Sequence, residues 1–297
     1  MMPDYHIGSL DEASRATLAE GSAHEESSET RPIFLQSKVW SKAILSEKKV
    51  ISADTRIFRF ILDHAEQQIG LPIGQHLMMR LRDPATREAI IRSYTPISEG
   101  SDKGILDILI KIYFDTKERP GGKMTTALES IPVGHFVDFK GPIGKFEYLG
   151  NGNCTVSGKE RHIKRFIMIC GGSGITPIFQ VLRAVLQKDD DPTKCLVLDG
   201  NRSEEDILCK EDMDTLTAGR DHKCRLLYTL TKPSESWTGL QGRVGKELLE
   251  KEVGTFGTTG FEDGEELVLI CGPEALEKSL HGLLNGMGWK DDTLLFF

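Results

Sequence analysis

No apolar run in this 297-residue chain approaches the ~20 residues that a membrane-spanning helix requires. The start lacks the basic-then-apolar pattern of a secretory signal and the glycine motif of myristoylation. Basic character is scarce as well. The net charge is −8, and the first thirty residues hold seven acids against one base, so six of those eight charges lie there. Nothing resembles a basic stripe for nucleic acid or an anionic membrane, so neither partner is expected. The six cysteines (Cys154, Cys170, Cys195, Cys209, Cys224, Cys271) show no metal or iron–sulfur spacing, and the eight histidines form no ligand set. That pattern fits reduced thiols in a cytoplasmic protein with no metal site. A His/Asp/Glu dyad for acid–base catalysis is missing too.

What the chain does contain is organised. Hydrophobic residues make up 39%, enough for one large or two ordinary domains. Residues 1–34, rich in Ser, Glu, Ala and Thr, read as an acidic solvated linker with room for a short helix over 11–20. From residue 39 short strand-like runs follow: 39–51, 55–62, 76–81, 89–94, 105–114 and 135–139. Gly, Pro and Asp separate them. Six short strands within about 110 residues predict a small antiparallel barrel over 35–150, with 123–130 as its helix candidate.

The polar stretch 151–160 (NGNCTVSGKE) reads as a break between domains. Beyond it strands alternate with helices: 166–170 then 175–187, 195–198 then 207–216, 224–230 then 245–252, 267–271 then 275–287. Repeated βα units predict a doubly wound parallel sheet over 160–297.

Four clusters coincide with strand ends. Phe166–Cys170 runs into Gly171-Gly172-Ser173-Gly174, and Ile175-Thr176-Pro177 opens a helix. Strand, glycine turn and helix together aim free backbone N–H groups at a phosphate. The glycines equally suit a purely structural tight turn, and Pro177 stands where a dinucleotide fingerprint has Gly or Ala. Arg92-Ser93-Tyr94-Thr95-Pro96-Ile97-Ser98 offers a guanidinium, a phenol and hydroxyls, suited to a phosphate and a flat ring. Pro120-Gly121-Gly122-Lys123-Met124-Thr125-Thr126 is a second glycine turn before a helix, able to hold a pyrophosphate. Val268 to Glu274 places the Cys271 thiol, then Gly272 and Pro273, at the end of a buried strand, where ligands of parallel sheets bind.

These clusters, in this order, resemble the ferredoxin–NADP reductase superfamily and within it the cytochrome b5 reductase branch. RSYTPIS is similar to its flavin signature, IKIYF with PGGKMTTAL to its second flavin segment, and CGGSGITP to its nicotinamide signature. GNRSEEDIL and CGPEAL are similar to its later strand-end turns. The resemblance covers about residues 39–297. GPIGKFEYLG, NRSEEDILC and the opening MMPDYHIGSL are similar to the C-terminal reductase region of the fungal assimilatory nitrate reductase family, in which MPDYHIG closes a cytochrome b5 domain. The haem-binding His-Pro-Gly-Gly segment and the molybdenum-cofactor domain are not in this sequence.

The resemblance implies FAD and either NADPH or NADH as cofactors, with haem and molybdenum cofactor confined to domains absent here. It implies that Arg92 binds FAD phosphate and that Tyr94 and Thr95 line the flavin ring. Ile110, Lys111, Ile112 and Tyr113 would run beside the flavin, and Gly122, Lys123, Met124 and Thr125 would hold the pyrophosphate. Thr176 would reach toward the flavin's redox nitrogen. Gly172, Ser173 and Gly174 would leave clearance for the nicotinamide. Cys271 would place the nicotinamide with Gly272 and Pro273, and Phe297 would lie near the ring. Asp199 or Glu204 would meet a ribose 2′-hydroxyl, whereas Arg202 and Ser203 would accept a 2′-phosphate; the fungal likeness favours NADPH. The implied activity is hydride uptake from NAD(P)H and single-electron delivery to a cytochrome b5-type haem domain for nitrate reduction. A homodimer would form through the absent domains. Two other readings stay open: a free-standing NAD(P)H–cytochrome b5 reductase, and a catalytically silent NAD(P)-binding regulator.

Overall fold

The computed structural model describes residues 33–83, 86–117 and 120–297. The expected acidic linker and its short helix, in residues 1–32, lie outside the described residues. Phe34, expected as linker, is instead core: it is 2% exposed, its N–H donates to the Gln68 carbonyl at 3.0 Å, and its ring lies 6.0 Å from that of Phe139.

Six strands form an antiparallel, barrel-like sheet: β1 (Ser41–Val50), β2 (Thr55–Ile61), β3 (His76–Arg82), β4 (Ala89–Tyr94), β5 (Ile105–Lys111) and β6 (Phe136–Ile143). Their order is β4-β3-β6-β1-β2-β5. Alternation explains the inward face. In β3, Leu77, Met79 and Leu81 are buried while their neighbours are partly exposed. They meet Leu45, Phe58, Phe60, Leu106, Ile108, Val137 and Phe139 in one apolar core. Each such side chain contributes roughly 1.5–3 kcal/mol by leaving water. Helix α1 (Lys123–Ser130) adds Met124, Ala127 and Leu128 to this core.

β5 is buried on both faces. Its outward Leu109 pairs with Ile57 of β2, and both join an apolar cluster with Ile175, Ile178 and Leu182 of the second half. Outward Asp107, 2% exposed, takes both its hydrogen bonds from Arg59, at 2.8 and 2.7 Å. A buried carboxylate is tolerated there because a bidentate guanidinium replaces water. β5 stops at Lys111, short of the expected Phe114; Tyr113 and Phe114 turn outward, 39% and 43% exposed.

The expected polar break is not irregular. β7 (Phe146–Gly150), β8 (Asn153–Val156) and β9 (Lys159–His162) form a three-stranded antiparallel meander. Ser157, at φ 50°, and Gly158, at φ 78°, make the two-residue turn between β8 and β9. Phe146, Tyr148 and Cys154 bury themselves in the core of the following sheet.

That sheet contains β10 (Arg165–Gly171), β11 (Lys194–Asn201), β12 (Cys224–Leu230), β13 (Leu240–Gln241), β14 (Glu266–Cys271) and β15 (Leu294–Phe296). All pairs are parallel, in the order β13-β12-β11-β10-β14-β15. Helices α2 (Ile175–Leu186) and α3 (Lys210–Thr217) cover one face. Helices α4 (Lys246–Glu252) and α5 (Glu274–Gly286) cover the other with Leu249, Leu280 and Leu284. Consecutive strands step outward from β10 through β11 to β12, and β14 then returns to β10's other side. The crevice between the carboxyl ends of β10 and β14 is therefore the topological switch point, where doubly wound sheets bind ligands.

Candidate functional site

A cleft of about 540 Å³ opens at that crevice and runs onto the barrel. From the barrel it is lined by Arg92, Tyr94 and Thr95 at the end of β4, and by Ile110, Lys111 and Tyr113 at and beyond the end of β5. The start of α1 contributes Gly122, Lys123, Met124 and Thr125. Across the cleft stand Gly172, Ser173, Gly174 and Thr176, then Cys271, Gly272 and Pro273, and Phe297. Of the residues expected at the site, Ile112 and the ribose-side set Asp199, Arg202, Ser203 and Glu204 do not line this cleft.

The barrel wall is built to receive phosphate. Arg92 is exposed, and one of its nitrogens donates to its neighbour Ile91's carbonyl at 2.7 Å. Helix α1 starts at Gly122 with no side-chain cap and no acid in its first turn, so its first N–H groups and positive helix end face outward. Thr125 Oγ1 fixes the approach by accepting from the Tyr113 N–H at 3.2 Å and donating to the Gly122 carbonyl at 3.1 Å. A Cβ at Gly122 would stand 2.6 Å from that oxygen, so a side chain would fill this cradle. Burial pushes the Tyr94 phenol up to about 12, which keeps it a hydrogen-bond donor at neutral pH.

On the other wall the turn after β10 is a 3₁₀ segment, Gly172–Gly174, leading into α2. Asn201 Oδ1 accepts from the Gly172 N–H at 3.1 Å. Gly172 sits at φ +56°, a backbone conformation that favours glycine, and an added Cβ would meet nothing within 4 Å. Gly174 serves another purpose: a Cβ there would lie 2.2 Å from the Cys271 carbonyl oxygen. Its bare Cα lets the ends of β10 and β14 close together. Thr176, 7% exposed, donates to the Ser173 carbonyl at 3.2 Å. Burial, with Glu277 nearby, pushes the Cys271 thiol up to about 12, so it stays protonated. Phe297 is anchored by its N–H to the Ile270 carbonyl at 3.1 Å and by its ring, 6.2 Å from that of Phe146.

Three expectations change. Lys111 lines the cleft, but its ammonium is held by Asp54 and Asp206, each at 2.8 Å. Asp199 cannot meet a ribose. It is 1% exposed and accepts from the Cys170 thiol at 3.5 Å, and burial pushes its carboxyl up to about 7. Glu204 is turned to the Ser234 N–H, at 3.0 Å. Sequence reasoning missed His76, which opens β3, lines the same cleft and is lowered in pKa by burial. The motif GQHL gave no chemical signal beyond a strand start. It also missed Lys232, whose backbone N–H donates to the Arg202 carbonyl at 2.7 Å, so two exposed basic residues are backbone neighbours here.

A flavin barrel and a nicotinamide sheet sharing one cleft define a flavin-dependent nicotinamide oxidoreductase. The family comparisons agree. Residues 42–148 match the model of an oxidoreductase FAD-binding domain, and residues 168–281 that of an oxidoreductase NAD-binding domain. The crystal structure of the cytochrome b5 reductase domain of Ulva prolifera nitrate reductase superposes with a TM-score of 0.81 at 34% identity, covering 90% of this chain and 100% of that one. The chain belongs to this family, the cytochrome b5 reductase domains of nitrate reductases. Relatives named nitrate reductase (NADPH) from Beauveria bassiana and Leptosphaeria maculans are 60% and 59% identical across 100% of the chain, which spans 33% of the length of each.

The donor set fits FAD: an exposed guanidinium, an uncapped helix start and a glycine cradle match a pyrophosphate, and Tyr94 and Thr95 stand at the cleft beside them. When bound, FAD supplies the ability to take an electron pair from a nicotinamide and release electrons one at a time. The chain's own residues would bind and orient it.

Proposed function

We propose that this chain is the FAD-dependent reductase portion of a nitrate reductase. It takes a hydride from NADPH or NADH, and the electrons leave singly for a cytochrome b5-type haem domain that serves nitrate reduction to nitrite. The observation that carries this reading is the convergence of the barrel and β10/β14 residues on one cleft. Opposed walls of that kind stack donor and acceptor at near-contact distance. The thiol of Cys271 is protonated and no acid–base dyad is needed, which suits hydride transfer over proton chemistry. Arg202 and Lys232, basic residues on backbone-paired positions, suit a 2′-phosphate and support NADPH as donor. Among the described residues no helix is long and apolar enough to cross a membrane.

The test is a steady-state assay of the purified protein. NADPH should reduce ferricyanide and an added cytochrome b5-type haem domain, while nitrate alone should be left untouched. A protein that binds NADPH but reduces neither acceptor would favour the silent regulator.

A further inference from the structure

Lys111 does more than line the cleft: its ammonium holds two carboxylates that lie outside the lining. Asp54 lies in the turn before β2, so its bond to Lys111 stays within the barrel. Asp206 lies beyond β11, in the 3₁₀ turn Glu204–Asp206 that follows Arg202 and Ser203. Its Oδ1 meets the Lys111 ammonium at 2.8 Å. Its Oδ2 accepts from the Ser203 hydroxyl at 2.9 Å and from the Ser203 N–H at 3.2 Å. One carboxylate thus closes the capping box of the nucleotide-domain turn and ties that turn to barrel strand β5. Partial burial opposes its charge, but the bonds from Lys111 and Ser203 prevail and hold its pKa below the usual range. The Lys111 and Asp206 side chains are 19% and 27% exposed, so the pair is sheltered from salt more than a surface bridge.

We propose that Asp206 is a positioning residue for the nicotinamide nucleotide: without touching it, Asp206 pins the Arg202–Ser203 turn against the barrel and so sets the width of the cleft. This rests on the reading of the cleft as a flavin–nicotinamide site. A positioning role at the domain junction acts on the whole nucleotide, so NADPH and NADH are affected alike. A direct contact with the 2′ substituent would separate them.

The experiment compares Asp206→Asn and Asp206→Glu with the wild-type flavoprotein. Asparagine keeps the size and the acceptor for Ser203 but loses the ionic tie to Lys111. Binding of NADP+ and NAD+ is measured calorimetrically, alongside kcat and KM with ferricyanide. Asp206→Asn should weaken both nucleotides by the same factor, about tenfold, as expected for losing one sheltered charge-assisted bond. FAD content and kcat at saturating donor should hold, and Asp206→Glu should recover most of the affinity. Unchanged or tighter nucleotide binding, or a loss confined to NADP+, would overturn the proposal. A wild-type protein without flavin or NADPH oxidation would instead sink the reading beneath it.

Discussion

Cys271 shows how placement can matter without ionisation. Its thiol sits at the end of β14 and lines the cleft, yet burial keeps it protonated far above neutral pH. It therefore acts by size and position. Cys271→Ser should slow flavin reduction by NADPH roughly tenfold, about 1.4 kcal/mol in the barrier, with FAD still bound. Stopped-flow bleaching and the ratio of flavin to protein absorbance check both parts. The wild-type rate should show no limb near the ordinary thiol pKa of about 8.5; such a limb would mean a reactive thiolate. Asp199 shows the opposite case, a carboxyl buried at a cost. Its folded pKa, about 7, lies above its unfolded value. Its stability contribution is whole below the unfolded pKa and is lost as pH rises through the folded one. Asp199→Asn should therefore raise the melting temperature by an amount that grows between about pH 4 and about pH 7 and then levels off. A gain largest at low pH would contradict the assignment.

Among the elements, the turn from β10 into α2 and the end of β14 act as a unit. Gly174→Ala would drive a methyl into the Cys271 carbonyl, 2.2 Å away, and backbone cannot swing aside as a long side chain can. The strands must part, at roughly 1–3 kcal/mol. The variant should melt several degrees lower and bind NADP+ more weakly while the barrel keeps its FAD; an unchanged melting temperature would show the close approach is not needed. This turn was legible in the sequence because strand, glycine and helix leave distinct patterns, and so were the six barrel strands and helix α1. Less was legible where side chains are few or mixed. The β8–β9 hairpin reads as polar because little beyond Cys154 buries itself on its inner face. β15 has three residues, too short for any period. Asp199 was misread because β11 runs on to Asn201 rather than stopping at Leu198. Within a strand, the two-residue alternation turns Asp199 to the same face as Cys195 and Val197, into the core.

Across the whole molecule, the site exists only because two sheets are held together. Ile57, Ile97 and Leu109 of the barrel half share an apolar cluster with Ile175, Ile178 and Leu182. Arg183 of α2 reaches back to the Ile97 and Ser98 carbonyls at 2.8 and 3.1 Å, and Gln180 accepts from the Gly74 N–H at 2.7 Å. These contacts hold the two halves together, and the Lys111–Asp206 pair joins them again where Lys111 lines the cleft. No single motif could reveal this. The sequence carried both walls, but which residues face each other is a property of packing. The central claim, one cleft serving a flavin and a nicotinamide, is tested most directly by an anaerobic absorbance titration of the purified protein with NADPH. The account predicts flavin bands at one FAD per chain, bleached completely by about one equivalent of NADPH, since each donates one electron pair. A colourless protein, or a flavin spectrum that NADPH leaves unbleached, would contradict it.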